Sequence, residues 1–284
     1  MSRVEQIADD VYVLSDIEPA DSEQSWLPAD VKGFEPFNKY VIVKPDAVLL
    51  LDTGVAAHCD SVIATLRDIV GDRKLVMLPT RSELEAIGNM GPIIDAFPRV
   101  QLLTTTRALP PLGLCHVRED KRDSVPARRI RRGESLDGLG FGNLQTLNPV
   151  IRILGTIWLY DRDLRMLFSS DFFANDLMET ADQSVVRRSA AGLPDAATLR
   201  RSIVAKFDWL ARAETTALRS QWKDMFRDIR PITLCPSLGR VQDGPDLAGE
   251  VVDLYYRAVF ETPNAGAMDI REAAALEAVD GRTR

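Results

Sequence analysis

The sequence predicts an α/β fold built from two successive halves. Short runs of β-branched and large apolar residues end at turn residues, as strands do. Between them lie stretches with apolar side chains at helical spacing. The same order of elements then returns after residue 150. In the first half, Val41-Ile42-Val43 and Val48-Leu49-Leu50-Leu51 read as two strands around the turn Lys44-Pro45-Asp46. Val62, Ile63, Leu66, Ile69 and Val70 form one helical stripe within residues 60–70. Residues 75–79 read as a short buried strand, which puts residues 81–86 in the loop at its carboxyl end. Open α/β sheets collect their ligands at that end. A helix is expected over residues 88–96 and a strand over 100–105.

The second half reads as strands at residues 151–154, 156–160 and 165–169. Helices follow at 195–210, opened by Leu193-Pro194-Asp195, and at 213–227. A strand at 231–235 is expected to stop at Pro236, with a helix over 246–260. Residues 16–33 are acidic and lack periodicity, so they read as a covering loop with Trp26 as its anchor, into the core or onto a partner. The domain thus spans residues 1–260. A tail over 261–284 is rich in alanine and acids, with a short helix expected at 270–279.

Several segments along this plan belong together. They are Ile7-Ala8-Asp9-Asp10-Val11-Tyr12-Val13-Leu14, then Asn38-Lys39-Tyr40-Val41-Ile42-Val43, then Leu50-Leu51-Asp52-Thr53-Gly54. After them come Gly155-Thr156-Ile157-Trp158-Leu159-Tyr160, Leu167-Phe168-Ser169-Ser170-Asp171-Phe172-Phe173 and Leu234-Cys235-Pro236-Ser237-Leu238-Gly239-Arg240. In this order the chain resembles the metallo-β-lactamase-fold superfamily, and within it the flavodiiron and oxygen-binding di-iron branch. The resemblance implies a four-layer αββα sandwich. It also implies a di-metal site at Thr80-Arg81-Ser82-Glu83-Leu84-Glu85-Ala86-Ile87-Gly88-Asn89, where that branch carries H-x-E-x-D-H followed by x-G-N.

Position by position, the four histidines of that branch fall on Arg81, Ala86, Arg152 and Leu238. The carboxylates fall on Glu83, Glu85 and, at the bridging position, Asp171. A site of this kind needs neutral imidazoles as well as carboxylates. The chain has only two histidines, His58 and His116, and neither lies at a ligand position. Hard cations held by oxygen alone want six or more ligands. No metal and no cofactor are therefore expected; nothing in the sequence resembles a flavodoxin domain to seat FMN.

Carboxylates left together in a cleft need cations, and a guanidinium is always protonated and fits a carboxylate in a planar fork. The expectation is that Arg81 and Arg152 fill the vacated space and neutralise Glu83, Glu85 and Asp171, while Ala86 and Leu238 close it with apolar volume. Two other readings stay open: arginines turned to solvent over a watery cleft, or an anion-binding floor for a phosphate or carboxylate.

Composition narrows the function classes. The chain has 284 residues, 45% of them hydrophobic and 27% charged, with a net charge of -7. That balance argues against general binding to nucleic acid or acidic membranes. The basic run Arg128-Arg129-Ile130-Arg131-Arg132 is diluted by Glu119, Asp120, Asp123 and Glu134, and fits a solvent-facing strand. No apolar run approaches the ~18–20 residues of a membrane span. Three scattered cysteines imply no disulfide framework, and a cytoplasmic location is the default. Cys115-His116 lacks a second pair at metal-ligand spacing. His58 lies just after Asp52-Thr53-Gly54 and could serve as a proton shuttle.

Two functions follow, with residual di-iron oxidoreductase or hydrolase-type activity as a remaining alternative. The first is a metal-free pseudoenzyme that acts by binding, as a homodimer, as a heteromer with a related protein, or through a small anionic ligand in the old cleft. The second is a non-metal enzyme using the remodelled cleft on a small anionic substrate, with Glu83, Glu85 or Asp171 as acid or base. Catalytic residues are not assigned.

Overall fold

The computed structural model describes residues 2–28, 30–105, 125–152 and 155–262. Two sheets lie face to face between two helical layers. The first sheet runs β1 (Arg3–Ala8), β2 (Val11–Pro19), β3 (Phe34–Val43), β4 (Ala47–Leu51), β5 (Lys74–Leu78), β6 (Val100–Thr104) and β7 (Ala127–Arg129), in sequence order. Its first three pairings are antiparallel and its last three parallel. The second sheet contains β8 (Leu144–Leu147), β9 (Trp158–Asp161), β10 (Met166–Ser170), β11 (Val186–Arg187), β12 (Thr233–Pro236) and β13 (Val241–Asp243). Its order is β11-β13-β12-β10-β9-β8.

Side-chain alternation explains the layering. Tyr40, Ile42, Leu49, Leu51, Val76 and Leu103 point from the first sheet toward Leu159, Phe168, Cys235 and Val241 of the second. Their neighbours Val41, Val48, Leu50, Met77 and Leu102 face the other way, onto α1 (Cys59–Val70) and α3 (Met90–Ala96). In the second sheet Trp158, Tyr160, Leu167 and Leu234 face α4 (Ala196–Lys206), α5 (Thr216–Ile229) and α6 (Pro245–Phe260). Strands buried on both faces read as unbroken apolar runs, and Val48 to Leu51 is one. The fold is the four-layer sandwich the motifs implied. No helix of the described residues is long and apolar enough to cross a membrane.

Several boundaries differ from the sequence reading. Part of the loop after β5 is helical, as the single turn α2 (Leu84–Ile87). The covering segment is shorter than residues 16–33, because β2 continues in register with β3 as far as Pro19. The strand expected at 151–154 is not seen in its described part. β8 takes that edge instead, pairing antiparallel with β9 from Leu144–Asp161 to Leu147–Trp158. The helix expected over 195–210 ends at Lys206, where Phe207 leaves helical geometry and turns into the core. Pro236 closes β12 as its last residue rather than preceding the break. Cys115, His116 and the tail helix expected at 270–279 lie outside the described residues.

The D-T-G and G-N motifs are one clamp. Asn89, fully buried, donates from Nδ2 to the carbonyls of Thr53 (2.8 Å) and Val55 (2.9 Å), and its own N–H reaches Thr53 Oγ1 at 3.1 Å. Gly88 permits this approach, since a Cβ there would lie 2.7 Å from the Gly54 carbonyl oxygen. Replacing Asn89 with Ala strands the Thr53 carbonyl, while the Val55 carbonyl keeps the His58 N–H at 3.1 Å. It is expected to destabilise the chain by about 1–3 kcal/mol in urea unfolding. A loss below about 0.5 kcal/mol would mean the turn is held by other contacts.

Candidate functional site

The carboxyl ends of β4, β5, β10 and β12 converge, and the residue after or at each end turns inward. Asp52 and Ser170 do so in left-handed backbone conformations, with φ of 60° and 56°. Such geometry is costly for a residue with a Cβ and persists only where surroundings enforce it. Here the surroundings are hydrogen bonds. Asp52 accepts from the Thr80 N–H at 2.7 Å, the Thr80 hydroxyl at 2.9 Å and the Ser237 hydroxyl at 2.5 Å. The Ser170 hydroxyl lies 2.7 Å from that of Thr80. Both sheets are tied together at this point.

Arg81 fills the centre, only 1% exposed. Its Nε donates to Glu83 Oε2 at 3.0 Å, and Nη1 donates to Ser170 Oγ at 3.2 Å and stands 3.5 Å from Asp52 Oδ2. Nη2 is 3.7 Å from Glu85 Oε2. A second cation enters from the other side. Lys206, the last residue of α4, places Nζ 3.3 Å from Glu83 Oε2 and 3.9 Å from Glu85 Oε1. Asp195 caps the start of α4 by accepting from the Thr198 N–H at 2.7 Å, which sets the helix in place for Lys206 to reach inward. Above the cations, the Trp26 indole N–H donates to Glu85 Oε1 at 2.6 Å, and the Lys206 ammonium lies 6.0 Å from the indole centroid. Ser25 donates to Glu35 Oε2 at 2.7 Å.

The charges respond to this packing. Burial raises Asp52 and Asp171 above the ordinary carboxylate range, although Arg81 pulls both down. Burial also pushes Glu35 up to about 7. For Glu85 burial acts upward too, but Arg81 and Lys206 outweigh it and the carboxyl ends below its usual value. Arg81 is held in its charged form: burial opposes the charge, but Glu85, Asp171, Asp52 and Glu83 together raise its pKa. Asp171 is 2% exposed, yet neither of its oxygens has a hydrogen-bond partner among the described residues. It shares a cavity of about 20 Å³ with Trp26, Glu35, Lys206 and Leu238.

Of the positions singled out by sequence, the structure brings Arg81, Glu83, Glu85, Asp171 and Leu238 together. Ala86 is buried but belongs to the core beneath α1 and α3. Arg152 requires a correction. Its guanidinium donates to Asn148 Oδ1 and forms no ion pair with a described carboxylate; Lys206 provides the second cation instead. The Arg152 guanidinium meets Asn148 at the surface, although Val150 and Ile151 beside it are buried, whereas the long Lys206 stem enters from a helix end and keeps its ammonium among the carboxylates. His58 sits apart from the cleft. Its Nε2 is 2.6 Å from Glu18 Oε1, and it joins Asp16, Lys39 and Ser61 in a separate polar cluster behind Phe37. The basic run is a sheet edge with Ile130 buried and Arg128 paired to Glu134 at 2.9 Å.

Sequence reasoning missed Lys206, Glu35, Ser170 and the role of Asp52. Glu35 alone carried a signal, an acid between Phe34 and Phe37 in a strand with few polar neighbours. A lysine ending an amphipathic helix ordinarily faces water. Among the described residues no group of three or more His, Cys, Asp or Glu side chains is placed to hold a metal ion. The donor set does not fit the family's di-iron centre, because a guanidinium and an ammonium stand among its carboxylates.

Two measurements follow. Arg81→Ala leaves buried carboxylates without their central cation and is expected to cost about 3–5 kcal/mol in chemical denaturation, whereas Arg152→Ala costs less than about 1 kcal/mol. Equal losses would return Arg152 to the site. The second concerns Glu35, whose pKa rises from 4.5 to about 7 on folding. Between those values the folded state holds a proton the unfolded state has lost, so stability falls as pH rises. Glu35→Gln removes that slope. Its stability relative to the parent should grow across this window, by roughly 1.4 kcal/mol for each pH step of one, and be flat above it. A constant difference at all pH values would contradict the assignment.

No protein-family model matches the chain, and no curated protein matches it. Solved structures do. The rubredoxin oxygen:oxidoreductase of Desulfovibrio gigas is similar with a TM-score of 0.64 and 17% identity, over 90% of this chain and 61% of its own. A metal-soaked flavodiiron core from Synechocystis sp. gives 0.69 and 16%, over 92% and 61%. The flavodiiron protein of Giardia intestinalis gives 0.66 and 14%, over 91% and 60%. The chain thus spans about 60% of the length of these proteins. At such identities the likeness is one of fold, and that fold is the metallo-β-lactamase-like core of the flavodiiron proteins.

Proposed function

We propose that the chain acts by binding rather than by metal-dependent chemistry: a pseudoenzyme whose cleft has exchanged metal cations for those of its own side chains. The observation that carries this is the Arg81 guanidinium, buried at the centre and bonded to Glu83 and Ser170. A metal ion there would meet a fixed positive charge and no imidazole. Arg81 and Lys206 supply the positive charge that the carboxylates need to stay buried. They supply no open coordination position for water or oxygen. The proteins that resemble this chain are named as a rubredoxin oxygen:oxidoreductase or as flavodiiron proteins; what is carried over here is their scaffold. A role through a partner, as a homodimer or with a related protein, fits a scaffold of this kind.

The test is elemental analysis of the purified full chain. Iron, zinc and manganese are expected well below one equivalent. One equivalent or more of any of them, lost in Glu83→Gln and Asp171→Asn, would overturn the reading.

A further inference from the structure

We propose that the cleft beneath Trp26 is a binding site for an organic ammonium with a flat aromatic body, and that Ser25 and Trp26 occupy the place this ligand takes. The inference rests on the metal-free reading above and names the ligand class for that cleft.

The cleft holds more carboxylates than it has cations to balance them. Glu35, Asp52, Glu83, Glu85 and Asp171 face two cations, Arg81 and Lys206. Asp52 is satisfied by Thr80 and Ser237, and Glu83 and Glu85 share the two cations. Among the described residues no donor bonds the two buried oxygens of Asp171, although Arg81 Nη2 and Lys206 Nζ, also without a hydrogen bond, stand in the same cleft; Asp171 lines the same cavity as Glu35, whose hydrogen bond comes from Ser25. An anion placed here would face both carboxylates. An ammonium would supply the donors they lack, with the charge to match.

The covering loop shows the shape of the missing partner. From adjoining residues it offers an O–H to Glu35 and an N–H, carried on a flat ring, to Glu85. The ring also faces the Lys206 ammonium. Yet Trp26 is 60% exposed, so little apolar burial holds it in place and little is lost when it is displaced. Beyond Leu27 there is room for a ligand body. Leu27, Asn175 and Ser202 are shared between the small cavity and a neighbouring hollow of about 200 Å³ that Val31, Leu177, Pro194 and Leu199 line with apolar surface. An arylalkylamine would put its ammonium between Asp171 and Glu35 and its ring where the indole lies, keeping the cation–π contact with Lys206.

Benzylamine titrated calorimetrically into the full chain, with benzoate as the anionic control, tests this. Benzylamine is expected to bind and benzoate not to. Trp26→Ala removes the internal competitor and should tighten benzylamine by about tenfold or more. Adding Asp171→Asn to that variant should weaken it by about as much. If Trp26→Ala fails to fold, Ser25→Ala frees Glu35 with the indole in place and must also tighten binding. Benzoate binding as well as benzylamine, or folded variants with no gain in amine affinity, would overturn the proposal. Metal content of the same sample separates the two readings. Metal present without amine binding means the metal-free reading has failed; neither metal nor amine means that only the amine site has.

Discussion

The rest of the molecule depends on one buried charge, the Arg81 guanidinium. A cation stripped of water is tolerable only among groups that return what water gave, and Glu83, Glu85, Asp52 and Ser170 do so from four directions. Those partners come from both sheets. Holding them on one guanidinium fixes how the carboxyl ends of β4, β5 and β10 meet. It also explains why Asp52 and Ser170, neither a glycine, keep left-handed backbones: each aims a side chain at the centre that a relaxed conformation would point elsewhere.

A cleft built on side-chain cations differs in what it can do from one built on metal ions. A metal polarises a bound water or carbonyl and keeps coordination positions open. A guanidinium balances charge and offers directed N–H donors, without a Lewis-acid orbital. Lys206 also ties the cleft to the outer layer, because it belongs to α4. That helix packs on α6 and on the aromatic group of Phe172, Phe173, Trp222 and Tyr255 beneath it. Any occupant that shifts Lys206 therefore pulls on a helix whose far side meets solvent. The covering loop is joined to the same lysine through the Trp26 ring.

Much of the fold was legible because its signals are local. A strand buried on both faces must be apolar throughout, as Val48 to Leu51 is, and a helix on a sheet must repeat every third or fourth residue, as Val62, Leu66 and Val70 do. The D-T-G and G-N motifs were legible for a related reason: their turns require Gly54 with φ of 78° and a residue without a Cβ at Gly88. Boundaries were less so. Phe207 ends α4 because burial in the core outweighs the helical pattern that continues through Leu210, and no local signal encodes that contest.

The sequence by itself determined the αββα order of the layers, the place of the site at the strand ends, and the absence of histidine from the loop after β5. Each of these is a matter of residue identity along the chain. Only the tertiary structure decided which cations meet the buried carboxylates. Arg81 lies two and four residues from Glu83 and Glu85, so chain proximity already favoured it. Arg152 and Lys206 both start far from them in sequence. The choice between those two fell to geometry, since a long flexible stem projecting from a helix end reaches the carboxylates, while the Asn148–Arg152 turn holds its guanidinium at the surface. Coulomb attraction between distant segments is set by separation in space, and that separation is written nowhere in the local pattern of residues.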